Sequence, residues 1–191
     1  MKKLPRLLIA AGVITVVAFA GDAITSTRVA AKPPFGGPKD TAYAAQLWKM
    51  LTAAKFVGPD TIVTYPYDGT PPHGNVLELI QGKVTVNGHS GVVMVKKNYR
   101  GKDIDDDDVL DDPGKYLKSI TVMFKRKAGY DPEDKDWFWA KYAPDGSLKK
   151  HPKGMNLAGR VAKGMSKGCI ACHKTAPGND YVYSHDRLSG K

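Results

Sequence analysis

The chain has 191 residues, 42% hydrophobic and 25% charged, with a formal charge of +10. Those proportions suit one soluble globular domain with a sizeable core. Only two cysteines are present, so a disulfide framework is excluded. The basic residues form no compact run and no recognised module, which argues against a nucleic-acid partner.

Residues 1–6 are basic and residues 7–20 are apolar or small, ending in Ala18-Phe19-Ala20. This is the pattern of a secretory signal peptide over residues 1–20. The apolar run falls short of the ~20 residues that span a bilayer, so an uncleaved anchor is the lesser alternative. Removing Lys2, Lys3 and Arg6 with the signal leaves a charge of +7. The expected location is periplasmic.

Residues 21–40, with Lys32-Pro33-Pro34-Phe35-Gly36-Gly37-Pro38, read as a flexible lead-in. Residues 41–191 are the expected domain. Residues 41–56 read as a helix that Asp40 or Thr41 can cap, with Leu47, Trp48, Leu51 and Ala54 on its core face. Residues 65–74, rich in Pro and Gly, form a loop containing His73. That histidine is either a distal group near a metal or, more commonly, a loop residue held by local hydrogen bonds.

From Val76 the hydrophobic period changes to two. Residues 76–80, 83–86 and 92–99 read as strands, with Asn87-Gly88 as a hairpin turn. In the third strand Val92, Met94 and Lys96 face one way, and Val93, Val95 and Lys97 the other. Two apolar faces make it a central strand, with one lysine beside the core. The acidic run at residues 103–112 fails the EF-hand template, since Asp108 and Gly114 stand where Gly and Glu are required. It is expected to be a solvated loop. Residues 119–125 and 137–142 are further strands. Trp137 and Trp139 share a face suited to walling a flat cofactor, or simply to core packing.

Residues 149–167 are basic and irregular. Lys163, Lys167 and Lys174 either give the site a positive rim or simply form a soluble surface. Next comes Cys169-Ile170-Ala171-Cys172-His173. The C-x-x-C-H spacing is that of c-type haem attachment. Two thiols add to the porphyrin vinyl groups, and the adjacent imidazole binds the iron. Positions i, i+3 and i+4 share one helical face, so Cys169, Cys172 and His173 reach one macrocycle. A zinc site would need a second ligand pair, and a thioredoxin-like motif would need a βαβ context. One haem c per chain is expected, and residues 177–184 form a strand-like tail.

Four stretches occur in order: Val92-Val93-Met94-Val95-Lys96-Lys97-Asn98-Tyr99, Val122-Met123-Phe124-Lys125, Asp136-Trp137-Phe138-Trp139-Ala140-Lys141-Tyr142, and the C-x-x-C-H site with Asp180-Tyr181-Val182-Tyr183. Together they resemble the cytochrome P-460 family, which includes the cytochromes c′-beta. The resemblance implies an α+β fold, a mainly antiparallel sheet with flanking helices, and a homodimer. It implies a high-spin haem with His173 as axial ligand, an open distal side, and a lysine joined to the porphyrin rim. Lys96 is the candidate for that lysine, with Lys97 as fallback. Two functions follow: oxidation of hydroxylamine or processing of nitric oxide, with a soluble electron-transfer partner; or non-enzymatic nitric oxide binding or electron transfer. Met94, Met123, Met155 and Met165 are conceivable sixth ligands for the electron-transfer form.

Overall fold

The computed structural model describes residues 34–183. The expected signal at residues 1–20, the lead-in up to residue 33 and the tail from residue 184 lie outside the described residues. Among the described residues no helix is long and apolar enough to cross a membrane.

Helix α1 runs Pro38–Ala53 and starts three residues before the expected boundary. Pro38 pre-sets the first turn, and neither Asp40 nor Thr41 caps it, because Gly37 occupies the N-cap. The end of the expected lead-in is therefore ordered. Phe35 is buried, and the Gly36 N–H donates to the Ala158 carbonyl at 2.8 Å. Ala44, Leu47 and Leu51 recur at helical spacing and are buried.

Six strands follow: β1 (Tyr67–Asp68), β2 (Val76–Val86), β3 (His89–Tyr99), β4 (Leu117–Lys125), β5 (Trp137–Tyr142) and β6 (Ala158–Gly159). They form one antiparallel sheet in sequence order, with β3 interior. The fold is α+β, a mainly antiparallel sheet with flanking helices. Asn87 (φ 49) and Gly88 (φ 75) both take the left-handed conformation that a two-residue hairpin turn needs. The two strands expected between residues 76 and 86 are one. Gly82 stays in the ladder opposite Val93. Its missing side chain makes room for the Phe56 ring, whose nearest carbon would lie 2.6 Å from an added Cβ.

The acidic run is helical rather than a loop. Asp105 and Asp108 form a capping box at α2 (Asp106–Asp111), and Asp112 caps α3 (Pro113–Tyr116). Short acidic side chains satisfy the first backbone N–H groups of a helix, and their charge suits its N-terminal dipole. The tail is not a strand either. It makes a 3-10 turn at Pro177–Asn179 and then runs unpaired to residue 183.

Strict alternation sorts the sheet into two faces. One face carries Val93, Val95, Val122, Phe124 and Phe138, packed under Leu47 and Leu51 of α1. Trp48 stacks at 4.8 Å on Tyr142 in that same cluster, so it is core. The other face carries Met94, Met123, Trp137 and Trp139, covered by Phe35, Val161, Ile170 and Tyr181.

Candidate functional site

The second face of the sheet opens into a cavity of about 490 Å³, within the usual size range for small-molecule and cofactor sites. Its floor is two cross-strand rows. Leu79, Lys96, Thr121 and Lys141 stand opposite one another across β2 to β5, as do Met94, Met123 and Trp139 across β3 to β5. The facing wall is helix α4 (Cys169–His173) with Val182 and Tyr183, and the β1–β2 loop adds Pro72 and His73.

The structure brings Cys169, Cys172, His173 and Lys96 to this one cavity. Both cysteines are free thiols, and burial pushes the Cys169 thiol up. His173 is buried, and its Nδ1 donates to the Tyr181 carbonyl at 2.7 Å. A carbonyl only accepts, so the proton sits on Nδ1 and the lone pair on Nε2. The rings of Trp139 (4.8 Å) and Tyr183 (5.3 Å) hold the imidazole edge-on. Burial also lowers the His173 pKa, which keeps the ring neutral as a ligand must be.

Adjacent lysines have opposite fates. Lys96 lines the cavity and makes no ion pair among the described residues. Burial lowers its pKa and favours the neutral amine. The fallback, Lys97, projects through the other face. Its ammonium is 2.7 Å from the Glu78 carboxylate and donates to the Ile62 carbonyl at 2.9 Å. It is a structural ion pair, away from the cavity.

The sequence reading gave Lys141 no role, although the alternation that placed Trp139 also places Lys141 on the cavity side. Burial lowers its pKa too. His73 is the locally hydrogen-bonded loop residue that the sequence allowed, bonded to Asn98 at 3.0 Å, and it also faces the cavity. Burial, then the Lys96 and His173 charges, push its pKa down to about 4. The positive rim is mostly neutralised. Lys163 pairs with Asp131 and with Glu133 at 2.9 Å, and Lys174 pairs with Asp134 at 2.9 Å. Lys167 alone of the three lines the cavity.

A family model described as Cytochrome P460 matches residues 80–184, more than half of the chain. The chain belongs to the cytochrome P460 family. No curated protein and no solved structure matches the chain. Membership implies a haem cofactor for this cytochrome P460, and the cavity fits one. It is large, mostly apolar, and carries two thiols beside a buried imidazole with its Nε2 lone pair available. The buried Trp139 N–H on its wall has no hydrogen-bond partner among the described residues, a donor left for a bound group.

Behind His173, Asp134 is buried. It accepts from Lys174 (2.9 Å) and from the Tyr181 hydroxyl (3.3 Å), the residue whose carbonyl holds His173. Burial alone would raise the Asp134 pKa, but Lys174, Lys163 and Tyr181 outweigh it and hold the carboxyl below its ordinary 3.8. A depressed carboxylate stabilises the fold above the unfolded pKa, and that contribution is lost as the pH falls through the lower folded value. Asp134→Asn is expected to cost about 1–2 kcal/mol at neutral pH and to converge with wild type in acid. Urea midpoints measured across the acid range check this. A parallel pair of curves would contradict it.

Proposed function

We propose that this cytochrome P460 is an exported mono-haem c-type protein that oxidises hydroxylamine or processes nitric oxide, passing electrons to a soluble carrier. The observation that carries the reading is the convergence of Cys169, Cys172 and His173 on one wall of a cavity whose floor presents Lys96. The two thiols would hold the haem, and His173 Nε2 would bind its iron. The Tyr181 carbonyl supports it by accepting its Nδ1 proton, which makes the imidazole more electron-rich. Lys96 lines the same cavity as a partly desolvated amine and would face the bound porphyrin. When bound, the haem supplies an iron that takes up a small nitrogen ligand and accepts its electrons. We further propose the periplasm as its compartment, from the signal-peptide pattern, and a homodimer as its state, from the family resemblance.

The purified holoprotein, given hydroxylamine and an electron acceptor, is expected to reduce that acceptor steadily. Lys96→Met is expected to keep both thioethers while losing the red-shifted ferrous Soret band of a cross-linked ring, together with most of the turnover. Reversible nitric oxide binding without any hydroxylamine-dependent reduction would move the protein to the alternative, a non-enzymatic binding or electron-transfer module.

A further inference from the structure

His73 is held as carefully as His173. Arg100 donates to its carbonyl at 3.1 Å and also to the Pro72 carbonyl, fixing the β1–β2 loop to the end of β3. The nearer partner of its ring Nδ1 is Asn98 at 3.0 Å, which is fully buried, with the Thr121 hydroxyl farther off at 3.4 Å. The Asn98 amide nitrogen donates to the carbonyls of Ser119 (3.0 Å) and Lys96 (3.1 Å). Those two bonds fix the amide orientation, so its oxygen faces His73 Nδ1 and can only accept. The His73 proton is therefore on Nδ1 and its lone pair on Nε2.

The same tautomer, set in the same way, exists at His173. Two neutral imidazoles on one cavity each have Nδ1 pinned by an oxygen acceptor, which is how metal-binding histidines are prepared. Their ring centroids are 6.1 Å apart, with planes at 80°. A metal–imidazole bond is about 2 Å and the nitrogen lies roughly 1 Å from its ring centre, so two imidazoles on opposite sides of one metal have centroids about 6 Å apart. The 80° angle is no obstacle, because the planes of two opposed imidazoles are compatible with any mutual angle.

Of the methionines, Met94 and Met123 also floor the cavity, opposite each other on β3 and β4, and neither Met155 nor Met165 lines it; a thioether ligand, unlike His73, would leave the spin state unchanged in a His73 variant.

We propose that His73 is the second axial ligand of the haem iron in the substrate-free protein, so that a small molecule reaches the iron only by displacing its imidazole. This rests on the haem reading above and adds a gate to it. It departs from the permanently open distal side that the family resemblance implied.

The test uses the ferric full-chain holoprotein. A spectrum after denaturation first establishes covalent haem. Electron paramagnetic resonance and the visible spectrum of the native protein then report the spin state. Wild type is expected to be six-coordinate and low-spin. His73→Gly is expected to be high-spin, to return to low-spin on adding free imidazole, and to bind azide about tenfold more tightly or better, since no ligand must first be displaced. A high-spin wild type, or a low-spin state that survives in His73→Gly, overturns the proposal while leaving the haem reading intact. If His73→Gly does not accumulate, the wild-type spin state decides alone. Absence of covalent haem in the denatured spectrum overturns both.

Discussion

Lys97→Met is expected to destabilise the folded protein by about 3–5 kcal/mol, because it strands a buried carboxylate. Both side chains of the Glu78–Lys97 pair are almost fully buried, at 3% and 4% exposure. Removing the ammonium leaves Glu78 on the apolar side of the sheet without its counter-charge. The Tyr99 hydroxyl interacts with Glu78, but a neutral group does not offset a lost cation. Replacing both partners, Lys97→Met with Glu78→Leu, is expected to recover most of the loss, since a packed apolar pair carries no desolvation penalty. The neighbouring Lys96→Met removes no ion pair and is expected to stay within about 1 kcal/mol of wild type. Urea unfolding of the three variants checks the order. A Lys97→Met protein as stable as Lys96→Met would show that the pair does not hold the sheet.

The second large effect is on attachment. In a Lys96→Met background, which has no lysine cross-link, replacing Cys169 and Cys172 together with serine is expected to take covalent haem from one per chain to none, while each single variant keeps one thioether. Helix α4 is only five residues long. It nevertheless puts Cys169, Cys172 and His173 on the cavity wall, because positions i, i+3 and i+4 of one turn share a face. Acid extraction followed by intact mass reads the outcome directly. Haem that stays with the double serine variant after extraction would rule out these thiols as the attachment points.

Much of this was legible in the chain itself. A period of two from Val76 onward, Asn87-Gly88 and the two apolar faces of residues 92–99 led to an antiparallel sheet with β3 inside it. The C-x-x-C-H spacing marked Cys169, Cys172 and His173 because short-range geometry on a helical turn is a local property. Local rules failed where a neighbour distant in sequence intervened. Gln81-Gly82 reads as a break until Phe56 is seen filling the space above the glycine. The acidic run reads as a loop until Asp105, Asp108 and Asp112 are seen capping two short helices.

The same division holds at the site. Alternation alone puts Lys96 and Lys97 on opposite faces of a strand, but it cannot tell which face holds the cavity. That was decided by α1 covering one side and residues 155–183 covering the other. Nor does any spacing connect His73 to Asn98, Tyr181 to His173, or Asp134 to Tyr181, which lie 25, 8 and 47 positions apart. Periodicity and the haem-attachment motif, set by backbone geometry over a few residues, were determined by the sequence alone. The proton positions on two histidines, the choice between two lysines and the buried carboxylate behind the axial residue were decided only by the tertiary structure. Each depends on which polar groups are brought together out of water, and burial is a property of the whole fold.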